Sequence, residues 1–104
     1  MNVNDEELCA LFDKEMLTPG CHSLSLRVMQ SKAGAQFRER KAVALPAIIR
    51  HLESHAGLDK FDLRQAWGLL LYTIQLRIDP DDKSEISPWD TSAWVSWAKA
   101  RVAS

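Results

Sequence analysis

Residues 58–78 read LDKFDLRQAWGLLLYTIQLRI, and the spacing of their apolar side chains decides the fold class. Phe61, Leu63, Trp67, Leu70, Leu71, Ile74 and Ile78 recur at helical period on one broad face, which Leu69, Tyr72 and Leu76 widen. Asp59 supplies an N-cap, with Leu58 and Leu63 at the two staple positions. The helix runs to about Ile78, a length of about 28 Å at about 1.5 Å per residue. A helix this apolar belongs at the centre of a bundle. Gly68 has no side chain, so another helix can approach closely there.

Working outward, Asp79-Pro80-Asp81-Asp82 ends this helix and opens an exposed loop. Asp90 caps a last helix whose inner face is Trp94, Trp97, Ala98 and Val102, with Lys99 and Arg101 near its negative end. On the other side, Pro46 suits a first helical turn, and Leu45, Ile48, Ile49, Leu52 and Ala56 line one face up to the Gly57 stop. A first helix is predicted from Asp5 to Leu17. Asn4 and Glu7 form its capping box, and Val3 and Leu8 are its staple. Leu8, Leu11, Phe12 and Met16 make its apolar stripe, with Cys9 on the same face.

Residues 21–45 support two readings. Leu24, Leu26 and Val28 alternate with Ser25 and Arg27, and Val43 and Leu45 alternate again after Lys41, which fits a hairpin turning near Lys32-Ala33-Gly34. Thr18 with Pro19 can instead open a helix, and Ala35 to Ala44 is rich in helix formers. The expected fold is therefore a mainly α, compact bundle of four or five helices in a single domain over residues 1–104. The alternative is α+β with one β-hairpin in residues 23–45.

The composition agrees with a globular chain. Of 104 residues, 46% are apolar and 26% charged, which suits a core and not a disordered segment. The most apolar stretch, Ala66 to Tyr72, is far short of the roughly 20 residues a bilayer requires, so no membrane partner is expected. The start carries no basic or apolar signal, and the expected compartment is the cytoplasm. Cys9 and Cys21 are expected to be reduced.

Catalytic patterns are sparse. The chain has no Gly-rich phosphate loop, G-x-S-x-G elbow or H-E-x-x-H motif. His51 and His55 stand four apart on one helix but match no zinc pattern with Cys9 or Cys21, and no metal or cofactor is expected. They read instead as surface histidines near a helix C-terminus. Arg50-His51-Leu52-Glu53-Ser54-His55 has an Arg, four residues, then a His, and resembles the R-x4-6-H motif of HEPN ribonucleases. That resemblance covers six residues. It implies metal-independent RNA cleavage by two such motifs meeting across a dimer.

Charge carries the stronger functional signal. Residues 1–20 set Asp5, Glu6, Glu7, Asp13 and Glu15 against Lys14, a net −4. Residues 21–51 set Arg27, Lys32, Arg38, Arg40, Lys41 and Arg50 against Glu39, a net +5. Bases packed this densely are expected at the surface, where they attract an acidic protein or a phosphate backbone. The bland alternative is a solvated face balanced by the acidic first helix. Trp89, between Pro88 and Asp90, either packs on Trp94 as a staple or stands out as an aromatic anchor. Together these features predict a small non-enzymatic binding protein. It docks on a larger protein or nucleoprotein assembly with an acidic surface, as regulator, inhibitor or accessory subunit. The binding residues are Arg27, Lys32, Arg38, Arg40, Lys41, Arg50 and Trp89. The alternatives are a nucleic-acid backbone binder using residues 27–50 and a HEPN-like ribonuclease.

Overall fold

The first helix begins where its capping box places it. The Glu7 amide donates to Asn4 Oδ1 at 2.7 Å, and Asn4 Nδ2 donates back to Glu7 Oε1 at 3.4 Å. In the computed structural model, which describes residues 4–17, 23–54, 61–81 and 86–103, this helix is α1 (Asp5–Leu17). It is followed by α2 (Leu24–Gln30), α3 (Lys32–Arg40), a 3₁₀ turn (Lys41–Ala44), α4 (Leu45–Ser54), α5 (Phe61–Ile78) and α6 (Thr91–Ala103). The chain is thus a mainly α bundle, as the sequence predicts. Among the described residues the helices number five if α2 and α3, which share Ser31 as cap, are taken as one broken helix. The expected Val3 staple, the Thr18-Pro19 start and the stop and cap at Ala56, Gly57, Leu58 and Asp59 lie outside the described residues, as does Cys21.

The hairpin alternative does not form: residues 24–30 and 32–44 are helical, and the described residues contain no strand. Val28 is buried while Leu26 is 40% exposed, although a strand would turn both to one side. What decides the segment is capping. Ser31 closes α2 through its own amide, which donates to Val28 O at 3.3 Å. Its hydroxyl then opens α3 by accepting from the Gly34 amide at 2.9 Å. The Glu15 carboxylate, reaching over from α1, accepts from the amides of Lys32 at 3.0 Å and Ala33 at 2.9 Å. Three amides at the start of α3 therefore have acceptors, in a place where a carboxylate also favours the helix dipole. At the far end Lys41 takes φ +55°, a left-handed conformation that costs a non-glycine residue stability.

The apolar face of α5 forms the core. Trp67, Leu70, Leu71 and Ile74 are fully buried, and α5 packs on α1, α2, α3 and α6. Its polar inner positions are satisfied: Thr73 Oγ1 donates to Leu70 O at 2.7 Å, and Gln75 Nε2 donates to Asp79 O at 3.4 Å. Three apolar residues read as inward are largely exposed: Leu76 at 41%, Leu11 at 43% and Val102 at 42%. Each stands at the edge of its stripe. In α1 the buried face is shifted toward Cys9, whose thiol lies 4.0 Å from Ala47 O of α4. No described helix is long and apolar enough to cross a membrane.

Gly68 acts as its sequence position suggests. A Cβ there would lie 2.7 Å from Thr91 Oγ1 and 2.9 Å from Thr91 Cα, at the start of α6. Alanine normally gains up to about 1 kcal/mol over glycine inside a helix. Here the clash is partly with backbone, and overpacking of that kind costs about 1–3 kcal/mol. Gly68→Ala is therefore expected to destabilise the protein in chemical denaturation. An unchanged or raised stability would show that the first turn of α6 yields freely.

Candidate functional site

The seven residues singled out for binding do not share one surface role. Arg27 is half-buried, and its guanidinium donates to the Met16 carbonyl at the end of α1. Arg40 forms an ion pair with Asp5 and also donates to Gln36 Oε1 at 3.4 Å. Arg38 departs furthest from its expected place at the surface. It is only 8% exposed and donates through Nη2 to Met29 O at 3.2 Å, satisfying a carbonyl at the end of α2. Burial, with Arg77 as a smaller cause, holds its pKa below the usual arginine value. Lys32, Lys41 and Arg50 are exposed and form no ion pair with a described residue.

Much of the charge asymmetry is therefore spent inside the molecule. Asp5 meets Arg40, Asp13 meets His51, and Glu15 caps α3. Asp5 of the acidic first helix thus pairs with Arg40 of the basic segment, while Asp13 and Glu15 bond His51 and the amides that open α3.

His51 also departs from its expected surface position: it is buried, at 8% exposure. Its Nε2 donates to Asp13 Oδ2 at 2.6 Å, while the Trp67 indole donates to Asp13 Oδ1 at 2.8 Å. One carboxylate thus ties α1 to α4 and α5. Trp67 sits at the middle of the arrangement, with ring centroids 4.5 Å from Phe12, 5.3 Å from His51 and 5.9 Å from Phe37. The triad joins three helices distant in sequence, and only a trace of it is present in the local pattern. Asp13 stands four residues after Cys9 and three before Met16, and His51 stands three after Ile48, so both fall on inward faces.

Beside the triad, α1 and α4 enclose an open cleft of about 560 Å³. Ala10 and Ala47 keep it wide, Glu6, Arg50, Glu53 and Ser54 supply polar groups, and His51 forms part of the wall. Ser54 is a poor nucleophile in this setting, because its hydroxyl donates to Arg50 O at 2.7 Å. Cys9 is also unreactive: it is fully buried, and burial followed by the nearby Asp13 pushes its thiol up to about 12. Of the ribonuclease-like pair, Arg50 lines the cleft, and His55 lies outside the described residues. The described residues contain no group of three or more His, Cys, Asp or Glu side chains able to hold a metal ion.

Trp89 is placed differently from Trp67, Trp94 and Trp97. Trp67 and Trp94 are buried, Trp97 is half-buried, and Trp89 is 53% exposed. Its turn is firmly held. The Asp90 amide donates to Ser87 O at 3.0 Å, the Trp89 amide to Ser87 Oγ at 3.3 Å, and the Trp94 indole to Ser87 O at 2.9 Å. Asp90 then caps α6 as predicted, accepting from the Ala93 amide at 3.1 Å. The Trp94 ring is engaged with Tyr72 and Trp97, at centroid distances of 5.5 and 5.6 Å. No known protein family, curated protein or solved structure matches this chain, so its functional reading rests on the geometry described above.

Proposed function

We propose that this chain is a small non-enzymatic binding protein that docks on a larger protein with an acidic surface, with Trp89 as its anchor. The observation that carries this reading is the 53% exposure of a tryptophan on a turn tied down through Ser87. A large apolar side chain in water loses free energy unless a partner covers it. Because the turn is already ordered, covering it costs little further conformational entropy. Tryptophan is also among the residues most enriched at the energetic centres of protein interfaces. Lys32, Lys41 and Arg50 remain exposed, and they would speed encounter with an acidic surface in a salt-dependent way.

The test compares the wild-type chain with Trp89→Ala as bait in an extract of the cell of origin, at low and high salt. The substitution removes an exposed side chain, so folding stability should stay within about 0.5 kcal/mol of wild type. Affinity for the partner captured by the wild type should fall by about tenfold or more, as for an interface hot spot. Equal capture by a folded Trp89→Ala variant would remove the anchor from this reading. Capture of RNA alone, abolished by salt, would favour the nucleic-acid alternative.

A further inference from the structure

The cleft between α1 and α4 carries two charges that no described residue neutralises. Glu6, in the first turn of α1, and Arg50, on α4, both line it, and both are exposed. Neither forms an ion pair with the other or with any described residue. The remaining polar groups of the lining are engaged. Glu53 pairs with Lys99 at 3.4 Å, His51 is bonded to Asp13, and the Ser54 hydroxyl donates to Arg50 O. Ala10 and Ala47 add two small apolar side chains. The cleft thus holds one carboxylate and one guanidinium of opposite sign beside an apolar surface, with no contact between the two charges.

We propose that this cleft binds a small zwitterion, a free amino acid or short peptide whose carboxylate meets Arg50 and whose ammonium meets Glu6. The apolar side chain of the ligand lies over Ala10 and Ala47. This site is separate from Trp89 and does not depend on the docking reading. The volume of about 560 Å³ falls within the roughly 300–1,000 Å³ of small-ligand sites. Charge selects the class. A guanidinium matches a carboxylate through two parallel N–H donors, so Arg50 suits that group geometrically. A ligand carrying only a carboxylate would enter a cleft that already holds Glu6, and like charges brought together repel. An amine without a carboxylate meets the same conflict with Arg50. A ligand with both charges answers both residues and leaves the net charge of the cleft unchanged. The walls are also fixed before it arrives, because the Asp13–His51 bond joins α1 to α4 beside the cleft. Binding therefore costs little further ordering of the protein.

The probe is L-leucine, titrated calorimetrically against the full chain. Two companions share its branched alkyl group: 4-methylpentanoate lacks the ammonium, and 3-methylbutylamine lacks the carboxylate. Leucine should bind saturably, and each companion about tenfold or more weaker, the effect of one lost charge-assisted hydrogen bond. Arg50→Gln and Glu6→Gln alter exposed side chains and should fold normally. Each should weaken leucine about tenfold or more. Arg50→Gln should leave 3-methylbutylamine binding no weaker, and Glu6→Gln should leave 4-methylpentanoate binding no weaker, because each removes the charge that repels that companion. Ala10→Leu fills the cleft from an exposed helical position and should abolish binding of leucine. A leucyl-leucine arm separates the two sources of the ligand: tighter binding than leucine assigns the site to short peptides, weaker binding to free amino acids. Absence of a saturable response to both leucine and leucyl-leucine would overturn the site. So would leucine binding that either charge variant or Ala10→Leu leaves unchanged, or a companion bound as tightly as leucine.

Discussion

Truncating Leu70 or Ile74 to alanine is expected to cost about 2–5 kcal/mol of folding stability, the range seen when large buried side chains are cut back. Both residues are fully buried and stand one turn apart on α5. The loss combines the transfer energy of the removed carbons with the cavity they leave. That cavity cannot close easily here, because α5 is packed by α1, α2, α3 and α6. Native domains are stable by only about 5–15 kcal/mol, so the larger figure approaches complete unfolding. Ile74→Val is the milder companion, with an expected loss of about 0.5–1.5 kcal/mol. Urea denaturation with a common m-value would measure all three. A loss below about 1 kcal/mol for Leu70→Ala would mean that this face of α5 does not form the core.

The second large effect is expected at Asp13. Asp13→Ala removes one acceptor and strands two donors, the Trp67 indole and His51 Nε2. Hydrogen bonds to charged groups contribute about 1.5–3 kcal/mol each, and some of this returns because the Asp13 side chain is 20% exposed and water can enter. The expected cost is about 2–4 kcal/mol. Asp13→Asn should cost less, since its amide oxygen can still accept from one partner. A double-mutant cycle of Asp13→Ala with His51→Ala separates the pair from its surroundings, and residues bonded in one network couple by about 0.5–3 kcal/mol. Additive single losses would show that Asp13 acts through Trp67 alone.

These two sites differ in how readable they were. The α5 core followed from periodicity: a run of apolar residues at helical spacing has only one way to turn away from water. The Asn4–Glu7 capping box, the Asp90 cap and the close approach at Gly68 were also legible, because each is a relation between residues a few positions apart or a single missing side chain. The triad was not. Its members are separated by 38 and 54 positions, and no local rule links an inward acid on one helix to an inward histidine and indole on two others. The basic segment was misplaced for a related reason. Arg38 and Arg40 are two positions apart in a dense run of bases, yet one is buried under α2 and the other is tied to Asp5, 35 positions earlier.

By itself, then, the sequence determined the helical class, the bounds of α1, the C-terminal end of α5 and the capping of α6, because these depend on short-range spacing and local hydrogen bonds. Tertiary structure decided whether residues 24–44 were helix or hairpin, since Glu15 of α1 completes the start of α3 from a distance. It also decided which charges face solvent. A charge in a sequence has no direction until the fold gives it a partner. Here the fold engages Asp5, Asp13, Glu15, Arg27 and Arg40 within the molecule, and it leaves the Trp89 side chain exposed and the Nη1 of Arg38 without a hydrogen-bond acceptor.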